Sequence, residues 1–222
     1  MIAKDSFKQE FAGLIADYSK HIKKYISGDK TDYIFCPVED KENGIYDKNY
    51  LNRTRLCYAL FYETYKTENK ENIVRELFIE EVKARENESY QIIGINLEIL
   101  TSLLLSYKRE TDKPLFERAK NANFDCSCGY EFLKPRPLSE FSLEDCIGVL
   151  DNLGEKEMMF RFADEFKSNI SNLTELKIFD SIARYDTRRT CDREFAAKEL
   201  YSAFKKSPEE FKGSEFSAVS DY

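Results

Sequence analysis

The stretch Ile92-Ile-Gly-Ile-Asn-Leu-Glu-Ile-Leu-Thr-Ser-Leu-Leu-Leu105 decides the fold class. It is the most apolar run of the chain, yet Gly94, Asn96 and Glu98 interrupt it. It is also shorter than the ~20 apolar residues that a membrane-spanning helix needs. Ile92, Ile93, Leu97, Leu100, Leu103, Leu104 and Leu105 would cover most of one helix's circumference. Such a helix must be enclosed on several sides, so the run reads as the buried centre of an all-α protein. Asn96 projects into the apolar sector. A buried amide needs hydrogen-bond partners, whose loss costs about 1–3 kcal/mol. Asn96 therefore reads as a polar pin that fixes helix register, with a ligand-facing amide as the alternative.

Helical spacing continues on both sides of this run. Phe7, Phe11, Leu14, Ile15, Tyr18, Ile22 and Tyr25 form one stripe, which predicts a helix over Phe7–Ile26. Ser6 and Gln9 supply a capping-box pattern before it, and Gly28 a stop after it. Further helices are expected near Tyr50–Thr67, Lys70–Arg85, Tyr90–Lys108, Pro114–Asn121, Leu143–Leu153, Glu155–Ser168, Thr174–Tyr185 and Asp192–Lys206. Ser142 and Asn172 sit at N-cap positions, and Gly154 is a breaker. Short connectors pair such segments as antiparallel hairpins, here spaced roughly 35–45 residues apart. The expected architecture is an irregular α-solenoid of HEAT or TPR type, with a globular helical bundle as the alternative. One helical domain is expected over residues 1–206, and a polar tail over 207–222. From Gly28 to Lys48 periodicity disappears, and Pro37 and Gly44 punctuate a loop rich in Asp and Glu. A loop of that length points to a binding element.

Charge narrows the partners. The 41 acidic and 34 basic residues leave a net charge of −7, which disfavours phosphate backbones and anionic lipid and favours a basic protein. No nucleic-acid or membrane partner is expected. The six cysteines occur without an export signal, which suits reduced thiols and a cytoplasmic setting. A single histidine, His21, disfavours Ser/His and Cys/His hydrolases, and no phosphate-cradling or dinucleotide motif is present. The chain therefore reads as a non-enzyme without a cofactor. Cys126-Ser-Cys128 has one intervening residue, too few for a typical zinc pair, so no metal site is expected. Glu80 and Glu81 read as ordinary exposed carboxylates.

Two constellations stand out as sites. Arg55, Tyr58 and Tyr62 lie three and four residues apart on one helical stripe, with Tyr65 just beyond. Tyr and Arg anchor protein interfaces because each joins a large contact area to a polar tip. The expected partner face is Arg55, Tyr58, Tyr62 and Tyr65, with Asp40 and Glu42 steering a basic partner. The alternative is that the acidic loop folds over the stripe and covers it. The second constellation is Asn123, Asp125 and Cys128, which with Asn96 could line a pocket for a small molecule. In its structural reading this segment is a compact turn that sets Phe124 and Tyr130 back onto the helices. The arginines between Arg184 and Arg193 read mainly as a solvated loop.

The block from Phe116 to Tyr130, with Arg118-Ala-Lys120 and Ala122-Asn-Phe-Asp125 preceding Cys128-Gly-Tyr130, resembles one in uncharacterised bacterial helical proteins. The profile as a whole is similar to immunity proteins of bacterial toxin–immunity systems. That resemblance implies a protein that binds a cognate toxin and neutralises it.

Overall fold

The computed structural model describes residues 6–41, 44–63, 66–87, 92–134, 136–184 and 190–211. Among them the fold is all-α apart from one small hairpin of strands. The backbone divides into two compact units, residues 1–140 and 141–222.

In the first unit, one apolar stripe produces two helices, α1 (Ser6–Asp17) and α2 (Ser19–Ile26). The ladder breaks at Tyr18, whose N–H is shared between the carbonyls of Leu14 (3.3 Å) and Ile15 (3.2 Å). Such sharing is the tightened turn of a helix end. α3 (Tyr50–Phe61), α4 (Lys70–Arg85), α5 (Ile95–Tyr107), α6 (Lys113–Lys120) and α7 (Phe124–Gly129) follow. α4 has the bounds expected from its spacing. α3 stops six residues short of the expected Thr67, and α5 starts at Ile95 because Gly94 takes φ +78° just before it.

The centre of this unit is α3, not α5. α3 packs against α1, α2, α4 and α5, and Arg53, Thr54, Leu56, Cys57, Tyr58, Ala59 and Leu60 are all buried. α5 buries one broad face, including Asn96, Leu97, Leu100 and Leu104, while Leu105 is 42% exposed. The stretch expected to be a loop contains β1 (Pro37–Asp40) and β2 (Gly44–Asp47). They pair antiparallel in a register running from Pro37 opposite Asp47 to Asp40 opposite Gly44.

The second unit holds α8 (Leu143–Asn152), α9 (Lys156–Ser168), α10 (Leu173–Ala183) and α11 (Thr190–Lys206), each packed on its sequence neighbour. Ser142 and Asp145 close a reciprocal capping box at the start of α8, and Asn172 accepts from the Glu175 N–H at the start of α10. Leu176 and Leu200 form a core closed by Leu173, Phe195 and Phe204. The chain described ends in a tight turn over Pro208–Phe211. Residues 212–222 of the expected tail lie outside the described residues.

Candidate functional site

Four charged side chains lie together in the dry interior of the first unit. Arg53 on α3 donates from Nε to Glu81 Oε1 on α4 (2.6 Å), and from Nη2 to Asp47 Oδ2 at the end of β2. Arg85, one turn along α4 from Glu81, donates from Nη1 to Glu81 Oε2 and from Nε to the Ile93 carbonyl (2.7 Å). Asn96 Nδ2 completes the shell of Glu81 at 2.9 Å. The side chains of Arg53, Asp47, Glu81 and Arg85 are fully buried, and their charges balance.

Charges taken out of water are costly unless paired, so the pairing must outweigh that cost. Burial opposes the charge on Glu81, yet Arg53 and Arg85 hold its carboxyl below the usual carboxylate range. Burial likewise opposes the Arg53 charge, and Glu81 with Asp47 raises the guanidinium above its ordinary value. Glu81 is thus no ordinary surface carboxylate. Asn96, expected as a register pin, gives its Nδ2 to this buried charge, while its Oδ1 is buried without a partner among the described residues.

The network holds the hairpin to the helices. Asp47 Oδ1 also accepts from the backbone N–H groups of Cys36 (3.1 Å) and Asn49 (3.0 Å). Asn49 Nδ2 donates to the carbonyls of Thr31 (3.0 Å) and Ile34 (2.9 Å), and Arg53 Nη1 reaches the same Ile34 carbonyl at 3.3 Å. Lys48 N–H closes the base of the hairpin on the Cys36 carbonyl (3.0 Å). Two short strands are marginal by themselves in water. Here they carry almost no core. Along β2 only Asp47 is buried, and along β1 no residue is.

The hairpin and its flanks instead turn apolar side chains outward. Ile34, Ile45, Tyr46 and Leu51 are 40–48% exposed, with Glu39 and Asp40 on β1 beside them in sequence. Of these, Ile45 and Tyr46 belong to the hairpin, Ile34 precedes it and Leu51 lies on α3. Ile45 and Tyr46 follow one another along β2 and so point to opposite sides of the hairpin, Ile45 beside Glu39 and Tyr46 beside Val38. The candidate site is therefore a hairpin anchored through Asp47 that presents one large apolar side chain on each side.

The residues expected from sequence to form the partner face fall elsewhere. Tyr58 is 1% exposed and stacks on Tyr62, their ring centroids 6.3 Å apart. Arg55 is half-buried, its guanidinium 5.9 Å from the Tyr18 ring. α1, α2 and the turn Thr31–Tyr33 of the acidic stretch all pack on α3. Tyr62 is half-buried, and Asp40 is half-buried at the end of β1. Glu42 and Tyr65 lie outside the described residues.

Asn123, Asp125 and Cys128 of the suggested pocket lie at the start of α7 and along it. Asn123 accepts from the Cys126 N–H as the N-cap of α7, and donates from Nδ2 to the Ile92 carbonyl (3.3 Å). Asp125 is half-buried and Cys128 exposed on that helix, and Asn96 donates from Nδ2 to Glu81. The expected turn is a short helix. It returns Tyr130 to the fold, with its hydroxyl 2.7 Å from Thr101 Oγ1, but leaves Phe124 73% exposed. Arg184 pairs with Asp180 at 2.8 Å, and residues 185–189 lie outside the described residues.

His21 Nδ1 lies 2.9 Å from the Tyr33 hydroxyl. Burial, with Arg55 nearby, lowers its pKa to about 4, so the ring is neutral near pH 7. Among the described residues no three His, Cys, Asp or Glu side chains converge as metal ligands, and no helix is long and apolar enough to cross a membrane.

Comparison with protein-family models, with curated proteins and with solved structures gives no match.

Proposed function

We propose that this chain is a non-enzymatic protein-binding protein whose β1–β2 hairpin engages a basic protein partner. The observation that carries this reading is the pairing of opposites in one element. The hairpin buries almost no apolar surface of its own, yet four buried charges anchor it while Ile45 and Tyr46 face solvent. Burying charge is an expensive way to hold a surface element, and its known return is a specified geometry. A preformed element loses less conformational freedom on binding than a flexible loop does. Glu39 and Asp40 offer carboxylates to a basic partner, with Lys41 and Lys48 exposed beside them, so steering rests on the chain's net charge of −7.

The net charge of −7 extends the same complementarity to the whole chain. In its most specific form, the function is that of an immunity protein in the cytoplasm that occludes a cognate toxin domain.

The test is capture from the host's lysate with the wild-type chain and with an Ile45→Glu/Tyr46→Ala variant in parallel. A basic protein retained by the wild type and lost from the folded variant supports the proposal. Equal retention by both removes the hairpin from the interface.

A further inference from the structure

α1, α2 and the end of α3 enclose a half-open groove of ≈ 440 Å³ in the first unit. Its size falls within the range of small-molecule sites. Small side chains open it, Ala12 and Ala16 on α1 and Ala59 on α3, and Ile15 and Ile22 form a buried aliphatic floor.

Three lysines beside the groove are paired, and among the described residues the two that line it, Lys23 and Lys66, are not. Lys24 pairs with Asp32 and, at 3.4 Å, with Asp29; Lys30 pairs with Glu76 at 2.6 Å; Lys70 pairs with Glu63 at 2.9 Å. Lys23 and Lys66 both line the groove, both are exposed, and neither has an ion-pair partner among the described residues. Glu63, which also lines it, is occupied by Lys70 and by the Thr67 hydroxyl. Glu68 is the one remaining anion of the rim, so positive charge is in excess there on a chain that is acidic overall.

We propose that the groove binds an amphiphile with a single carboxylate head and an unbranched alkyl chain, a fatty-acid type of ligand. The chain lies along Ile15, Ile22 and Ala59, and Lys23 and Lys66 hold the carboxylate. A mainly aliphatic lining, with Ser19, Tyr62 and Thr67 as its neutral polar side chains, suits an alkyl chain, because each methylene removed from water strengthens binding by roughly fourfold. The two lysines select the head group by charge, with the modest strength of solvent-exposed pairs. This site is independent of the hairpin.

The experiment is calorimetric titration of the full chain with octanoate, decanoate and laurate, and with dodecylamine as the cationic control. The expected result is saturable one-to-one binding that tightens roughly fourfold per added methylene, with laurate binding better than dodecylamine. Lys23→Gln/Lys66→Gln, at exposed positions that leave the fold intact, should weaken laurate about two- to tenfold and erase the head-group preference. Ala16→Leu, which fills the groove, should weaken every chain length. No saturable binding of laurate, equal binding of the amine, or laurate affinity unchanged in the double lysine variant would each overturn the proposal.

Discussion

Arg53 on α3 and Glu81 on α4 meet where no solvent reaches, Nε to Oε1 at 2.6 Å, across 28 residues of sequence. Through Asp47 the same guanidinium also grips the end of the hairpin. The central contact of the fold and the anchor of the candidate site are therefore one residue.

Removing that residue leaves Asp47 buried without a charged partner and Glu81 with Arg85 alone, so the buried cluster carries one uncompensated negative charge. Arg53→Met should lower the unfolding free energy by about 3–5 kcal/mol, measured by urea denaturation. Arg53→Lys should recover little of the loss, because an ammonium cannot supply the separate donors that reach Glu81, Asp47 and Ile34 at once. A fully stable Arg53→Met chain would show that the network is not the anchor.

Gly94 stands against Arg85 in a way that no other residue could. A Cβ there would lie 2.1 Å from Arg85 Nη2 and 3.1 Å from the Tyr50 hydroxyl, and φ is +78°. Gly94→Ala should cost about 2 kcal/mol or more. Gly28 also has positive φ, at +96°, but faces open space. Gly28→Ala should cost less, about 1 kcal/mol. Paired denaturation curves check the order.

How far all this was legible in the sequence varies with the kind of signal. α4 was placed correctly from Lys70 to Arg85 because Ile73, Val74, Leu77, Phe78 and Val82 repeat at helical spacing. Glu81 and Arg85 continue that same inward stripe at i and i+4, which was the available sign of their burial. A charged residue counts as exposed until a partner is known, and Arg53 is supplied by another helix. The hairpin left no trace because its strands are four residues long and do not alternate apolar with polar. They form because Asp47 and the Ile34 carbonyl are held from outside. Tyr58 was placed on the surface because its stripe also carries Arg55. α3 is packed on several sides, Tyr58 is buried there, and single-helix periodicity does not report such surrounding elements.

The two faces can be separated by stability. Tyr58→Ala should cost about 3–5 kcal/mol as a core truncation. Tyr46→Ala and Ile45→Ala should each stay within about 0.5 kcal/mol of wild type, as substitutions of exposed side chains. Thermal and urea unfolding of the three variants tests this. A large loss from Tyr46→Ala would make the hairpin part of the core and not a presented element.

Acid should weaken the fold through His21. Its pKa is about 4 in the folded chain against 6.5 as the ordinary value, so the unfolded chain takes up the proton first. The neutral ring's contribution is complete above pH 6.5 and is lost as pH falls from 6.5 towards 4. Melting temperature should fall across that window in the wild type and fall less in His21→Gln. Parallel profiles for the two chains would assign the acid sensitivity elsewhere.

The most direct test of the binding role places a photo-crosslinking p-benzoylphenylalanine at Tyr46, and in a second chain at Phe124, which is 73% exposed outside the hairpin. Both chains are irradiated in the host's lysate and the products identified by mass spectrometry. The hairpin account predicts one discrete basic protein joined at position 46 and absent from position 124. A discrete product at position 124 with none at 46, or none at either position, would contradict it.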